Sequence, residues 1–318
     1  MEKIVYSIEP ISDESVAKIK KSLNCEYCYI DRNDFLQNAD VHRNVSVLIC
    51  RDRDKVSEIV DVCSNLKMLS IVSTGVEKLP FEKLKERAIV VSNTGGLNAP
   101  IMSEYAMAYI LSQSARVCEN LLNQTKHVWK KFQCVDTLNK KTLLIVGAGR
   151  TGQLLAKKAK IFGMRVLGIK RHVSELENFD AIDNLDNLDI HLKTADYIVV
   201  TMPLTPETRN LFDANRFKQM KKESVFINIS RAGLVKQDAL LDALRNGIIG
   251  GAILDVFEQE PISTSSELWD VDNLYITPHS SGRLPNFVDE AVQYCIENIK
   301  AFWNESSLPN RVNLDAGY

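Results

Sequence analysis

The sequence predicts an α/β protein of two doubly wound parallel-sheet domains, and three observations predict it. Short apolar, β-branched runs alternate with helix-period segments along nearly the whole chain, the pattern of βαβ units. The runs fall into two sets, and the second set opens with a glycine-rich strand-to-helix turn. At 318 residues the chain is long enough for each set to build its own core.

The bulk properties narrow the class. The apolar fraction of 45% and charged fraction of 25% are those of a soluble globular protein. With a net charge of -2, a pI near 6.3 and basic residues interspersed with acidic ones, no nucleic-acid partner is expected. No apolar run approaches the ~20 residues of a membrane span. The start of the chain has no apolar stretch of the secretory kind, so a cytoplasmic protein is expected. Seven scattered cysteines suit reduced thiols. Cys25 and Cys28 form a CxxC, but no second ligand pair follows. On a strand the two thiols point to opposite faces, so both are read as structural.

Taken in order, the first set of runs covers residues 4–6, 25–30, 45–50, 68–72 and 89–91, five strands of a smaller, flavodoxin-like domain. A helix from 102 to about 122 follows, apolar on most sides in its first half, as expected of a helix buried between domains. The second set covers 143–146, 166–169, 197–201, 225–228, 252–254 and 274–276, the strands of a complete dinucleotide-binding (Rossmann) fold. A last helix, 285–303, carries Phe287, Val288, Ala291, Val292, Cys295, Ile296, Ile299 and Phe302 in a 3.6-residue stripe. The chain is therefore expected to hinge near Gly282 and finish on the first domain. Residues 1–101 and 284–318 would form a discontinuous substrate-binding domain, and 102–283 the dinucleotide-binding domain. The crevice at the strand ends is the expected ligand site.

The loop after residues 143–146 reads Gly147-Ala148-Gly149-Arg150-Thr151-Gly152. In this setting Gly147 makes the tight turn, Gly149 lets backbone approach a pyrophosphate, and Gly152 lets the helix pack on the strand. The helix N-terminus offers N–H groups and a positive dipole end to the phosphates. The second strand ends in Lys170-Arg171, where a ribose-binding carboxylate is expected. Two cations there accept a 2′-phosphate, so the cofactor is expected to be NADP, with NAD possible.

Three polar segments end successive strands of the second set. Residues 228–233 contain Arg231, residues 254–261 contain several carboxylates, and residues 276–282 contain His279. Each alone has an ordinary structural reading. Together, an arginine fork for a small carboxylate, a histidine as proton donor and a carboxylate to orient it are the equipment for reducing the ketone of a 2-oxo acid.

With these residues the chain resembles the D-isomer-specific 2-hydroxyacid dehydrogenases over nearly its whole length. The resemblance rests on the glycine loop, residues 202–208 (MPLTPET), 228–233 running on into Asp238-Ala239-Leu240, 254–261 and 277–279, together with 74–76 and 93–98 in the first domain. It implies Arg231 as carboxylate anchor, His279 as acid/base and Glu260, five residues after Asp255, as its partner. It also implies that backbone N–H groups of Thr74, Gly75 and Val76 hold the substrate carboxylate from the other side. Arg150 and Thr151 would sit on the pyrophosphate, Pro203 and Thr208 would line the adenosine side, and Ile229 and Asp255 would complete the cofactor site near the nicotinamide. A small 2-oxo or 2-hydroxy acid is the implied substrate, with no metal, and a homodimer through the cofactor domain is the implied assembly.

Departures from the family pattern matter as well. Lys170 replaces the usual ribose-binding aspartate, which resembles members that use NADPH for glyoxylate or hydroxypyruvate. No regulatory domain is expected beyond Tyr318, so a phosphoglycerate dehydrogenase-like enzyme without that domain stands as an alternative, as does a nucleotide-sensing interaction protein with little turnover. Arg51 and Arg53 could reach a second acidic group, but with Asp52 between them they are expected to be solvated.

Overall fold

A computed structural model describes residues 3–37, 39–131 and 134–318. The chain divides into two compact units, Met1–Leu97 with Leu284–Tyr318, and Asn98–Arg283.

The first unit holds strands β1 (Ile4–Ser7), β2 (Glu26–Tyr29), β3 (Val47–Cys50), β4 (Met68–Ile71) and β5 (Val90–Ser92). They form one parallel sheet in the order β2-β1-β3-β4-β5. β3 and β4 are buried along their whole length because helices cover both faces. One face packs Leu48, Cys50, Leu69 and Ile71; the other packs Val47, Ile49 and Met68 against Ala291, Cys295 and Ile299 of the Phe287–Trp303 helix. The stripe on that helix is thus buried on the smaller sheet. Cys28 belongs to the first of these faces and Cys25 to the second, and all seven cysteines are free thiols.

The second unit holds β6 (Thr142–Val146), β7 (Arg165–Ile169), β8 (Ala181–Asp183), β9 (Tyr197–Val200), β10 (Val225–Asn228), β11 (Gly251–Leu254) and β12 (Leu274–Ile276). The sheet is parallel throughout, in the order β12-β11-β10-β9-β6-β7-β8. The order reverses between β6 and β9, which makes the carboxyl end of β6 the topological switch point where ligands of such sheets bind. Alternate residues feed the two faces: Leu144 and Val146 into one core, Leu143 and Ile145 into the other.

Two expectations need correction. The sheet has a seventh strand, β8, that no apolar run announced. It is a three-residue edge strand with no fully buried residue, so it needs no β-branched run. The helix expected from 102 to about 122 is two helices, Ala99–Ser114 and Val117–Thr125. Arg116 stands between them in the left-handed region (φ 53°). The first buries Ala99, Ser103, Ala106, Met107, Ile110 and Ser114, whereas the second buries none of its residues. Continuous apolar composition hid a change from core helix to surface helix.

Candidate active site

The glycine loop sits at the switch point. Gly147 (φ +117°) turns the chain beneath β7, whose Ile169 carbonyl accepts from the N–H groups of Gly147 and Ala148 at 3.0 and 2.9 Å. A Cβ on Gly147 would lie 2.5 Å from the backbone nitrogen of Met202. A Cβ on Gly152 would lie 2.5 Å from the Gly147 carbonyl oxygen and 2.9 Å from Ile145, so helix and strand touch there. Gly149 differs: a Cβ on it would meet no atom within 4 Å. Folding does not demand glycine at 149, and the open space above it suits a group that must approach the backbone closely. Gly149 is also the N-cap of the Arg150–Ile161 helix, and no side chain caps that end. An uncapped N-terminus beneath an open glycine fits a pyrophosphate.

At the end of β7, Lys170 is half-buried and donates to Ser174 Oγ at 3.3 Å, while the more exposed Arg171 pairs with Glu207. Glu207 belongs to the segment after β9, which organises itself. The Thr208 hydroxyl, buried, accepts from Thr205 N–H at 2.8 Å and donates to the Pro203 carbonyl at 3.0 Å. Thr208 therefore shapes the loop from within, and half-buried Pro203 lies on its surface.

The chemistry-bearing residues end three neighbouring strands. Arg231 follows β10, half-buried, with Nη1 donating to the Ser230 carbonyl at 2.8 Å; Asn228 Nδ2 holds the Arg231 carbonyl at 2.9 Å. Glu260 follows β11 and His279 follows β12. His279 Nδ1 lies 2.7 Å from Glu260 Oε2, and Glu260 Oε1 accepts from Phe257 N–H at 2.9 Å. An ionised carboxylate only accepts, so Nδ1 carries the hydrogen and Nε2 is left for proton exchange. The histidine side chain is 48% exposed, open enough to meet a ligand.

Asp255, directly after β11, turns its side chain to the loop that carries His279. It is fully buried, and its carboxylate is consumed by the loop that carries His279. Oδ1 accepts from Thr277 Oγ1 at 2.7 Å and Ser280 N–H at 2.9 Å, and Oδ2 from Ser281 N–H at 2.9 Å. The Ile229 side chain is buried in the sheet core. In the smaller unit, Thr74 to Val76 follow β4; Asn93 Nδ2 holds the Thr74 carbonyl at 2.9 Å, and Thr74 Oγ1 is buried without a partner. Arg51 is not solvated: it pairs with buried Glu9 at 2.6 Å, while Arg53 is exposed.

Sequence reasoning missed Tyr105, whose hydroxyl lies 2.7 Å from Ser280 Oγ, and Tyr109, which meets Tyr105 edge-on at 5.1 Å. Both occupy a helix read only as apolar. Among the described residues no cluster of His, Cys, Asp or Glu could hold a metal ion, and no helix is long and apolar enough to cross a membrane.

Comparison with known proteins agrees with this geometry. Residues 107–281 match the sequence model of the D-isomer specific 2-hydroxyacid dehydrogenase NAD binding domain. The chain is 33% identical over 283 residues to a glyoxylate reductase of Thermococcus litoralis, covering 86% of this chain and 85% of that one. It is 30% identical over 279 residues to a D-3-phosphoglycerate dehydrogenase of Methanocaldococcus jannaschii, of whose length it spans about half (52%). Among solved structures, an NADPH-dependent glyoxylate/hydroxypyruvate reductase of Sinorhizobium meliloti, in complex with NADP and sulfate, superposes with a TM-score of 0.82. The two are 25% identical, and the match covers all of both chains. A parallel sheet with its glycine loop at the switch point, a histidine–glutamate pair at its strand ends and a sequence match across that same unit lead to one assignment: the chain belongs to the D-isomer-specific 2-hydroxyacid dehydrogenase family.

Proposed function

We propose that this protein is an NAD(P)-dependent reductase of small 2-oxo acids, yielding D-2-hydroxy acids, and the corresponding dehydrogenase in reverse. The observation that carries the reading is the His279–Glu260 pair, in the unit that holds the glycine loop and one strand away from the strand bearing Arg231. A bound nicotinamide cofactor supplies or accepts the hydride. His279 gives its proton from Nε2 to the carbonyl oxygen as negative charge develops there, and takes it back in the oxidative direction. Glu260 fixes the ring and its tautomer. Arg231 holds the substrate carboxylate with its guanidinium fork, and we assign Thr74, Gly75 and Val76 to substrate binding through their backbone N–H groups. Gly149, Arg150 and Thr151 take the pyrophosphate; Pro203, Thr208, Ile229 and Asp255 surround or brace the remainder of the cofactor site.

Lys170 and Arg171 support NADP over NAD, as does NADP in the Sinorhizobium relative. A 2′-phosphate would draw Arg171 from Glu207. Arg51 is committed to Glu9, which favours acids without a second anionic group over phosphorylated ones. We further propose a cytoplasmic homodimer with no nucleic-acid partner; the Val117–Thr125 helix, which buries none of its residues, supports the dimer.

Initial rates with NADPH and NADH against glyoxylate, hydroxypyruvate, pyruvate, 2-oxoisocaproate and phenylpyruvate test the reading. A clear NADPH preference with turnover of one or more acids is expected. Tight cofactor binding without turnover of any acid would replace the enzyme by a nucleotide sensor.

A further inference from the structure

We infer that Tyr105 is a positioning residue for the proton donor, acting through Ser280 on the loop that presents His279. The inference rests on the reading of His279 as acid/base given above.

His279 is held in an uncommon conformation. Its φ of +50° lies in the left-handed region, which a residue with a Cβ enters at a cost and keeps only when its surroundings enforce it. The enforcement is visible on both sides. On the N-terminal side, Thr277 is tied by its hydroxyl to Asp255 and by its N–H to the Leu254 carbonyl at 3.0 Å. On the C-terminal side, the backbone N–H groups of Ser280 and Ser281 are tied to the two oxygens of the same buried carboxylate. Asp255 thus clamps the backbone flanking the histidine. The Ser280 side chain is held from elsewhere, by the hydroxyl of Tyr105, 175 positions away in sequence.

Tyr105 is fixed in turn. It stands on the Ala99–Ser114 helix, whose buried residues pack on the sheet of the same unit, and the edge-on ring of Tyr109 supports its own ring. Burial keeps the Tyr109 hydroxyl in its neutral form by pushing its pKa up. Tyr105, with Tyr109 behind it, therefore braces the C-terminal flank of the His279 position. The Glu260 bond orients the imidazole, whereas the tyrosine brace fixes where the imidazole is hung. A proton donor displaced by a fraction of an ångström still binds substrate but transfers less often.

Tyr105→Phe, which removes one oxygen and keeps the ring, is the test, run beside Ser280→Ala and the double variant. The expected result is a fall in kcat of about three- to tenfold with KM for the best 2-oxo acid nearly unchanged. The double variant should be no worse than the poorer single one, because both delete the same bond. Unchanged kcat, strictly additive deficits, or a rise in KM with kcat kept would each overturn the proposal. A loss confined to thermal stability would overturn it as well. The second readout needs no turnover: the ¹⁵N-labelled ring of His279, one of five histidines, should give a sharp Nδ1–H signal bonded to Glu260. In Tyr105→Phe that signal should broaden or shift, and an identical spectrum would count against the brace. His279→Gln separates the two readings: full turnover there removes His279 as acid whatever Tyr105 does.

Discussion

Gly149 and Gly152 look alike in a motif and differ in what they touch. At Gly152 a methyl group would collide with the Gly147 carbonyl and Ile145, both held by strand and turn. Gly152→Ala should therefore destabilise the ligand-free protein, by about 2 kcal/mol, seen as a lower denaturation midpoint. At Gly149 a methyl group meets nothing, so Gly149→Ala should denature like the parent protein. It should lose about tenfold or more in NADPH affinity by titration, since the methyl fills the space a pyrophosphate needs. Equal cofactor affinity in Gly149→Ala would mean that the phosphates lie elsewhere. Arg231→Ala should raise KM for the acid by about one to two orders of magnitude, the worth of a charged bidentate contact, and leave the NADPH affinity nearly intact. The places of these residues were legible in the sequence because each sits beside a strand end, where position along the chain fixes position in the fold. Tyr105 was not legible: nothing in a run of apolar helix tells which hydroxyl meets a serine 175 residues later. Nor did the sequence tell that the Asp255 carboxylate holds the backbone on both sides of His279.

At the scale of elements, the strands were legible where burial on both faces demands apolar runs, as in β3, β4, β6 and β9. β8 was not, since an edge strand owes its place to pairing with β7 and not to composition. The end of the Ala99–Ser114 helix escaped notice for a related reason. No proline or glycine marks it, only Arg116 in a left-handed turn. Element contacts also carry a pH dependence. Ser12, the N-cap of the Asp13–Leu23 helix, donates its hydroxyl to Asp289 on the Phe287–Trp303 helix at 2.5 Å. Hydrogen bonds from Ser12 and Ser15 hold the Asp289 carboxyl below its ordinary value. A carboxylate depressed in the folded state contributes stability above its unfolded pKa, and that contribution disappears as pH falls through the folded one. Asp289→Asn should therefore lower the melting temperature at pH 7 by a small amount, the group being exposed. The difference from the parent protein should narrow as pH falls below the ordinary carboxylate range. A difference that stays constant between pH 7 and pH 3 would assign the effect to the Ser12 geometry rather than to charge.

For the whole molecule the telling surface is the Val117–Thr125 helix and the segment after it. Val117, Leu121 and Leu122 are 46, 57 and 53% exposed, and Trp129 beyond them is 90% exposed. A tryptophan left almost entirely in water is unusual, and with three aliphatic side chains on one short helix it forms an apolar patch of the kind that marks an interface. Charged residues close by, Glu119 with Arg116 and Lys130, are already paired with one another, so the patch presents apolar side chains rather than unbalanced charge. A helix that buries none of its residues gains little from the core of its own unit, and the proposed dimer would cover its apolar side chains. A two-fold dimer supplies one at no cost in extra sequence, since the same patch is used twice. Sedimentation velocity at micromolar concentration should show a single species near twice the 35.8 kDa chain mass. Leu121→Glu combined with Leu122→Glu should shift it to the monomer, because four carboxylates buried at a two-fold contact are not tolerated. A parent protein that sediments as a monomer across that range would leave the helix without the partner its composition calls for, and the dimer would have to be abandoned.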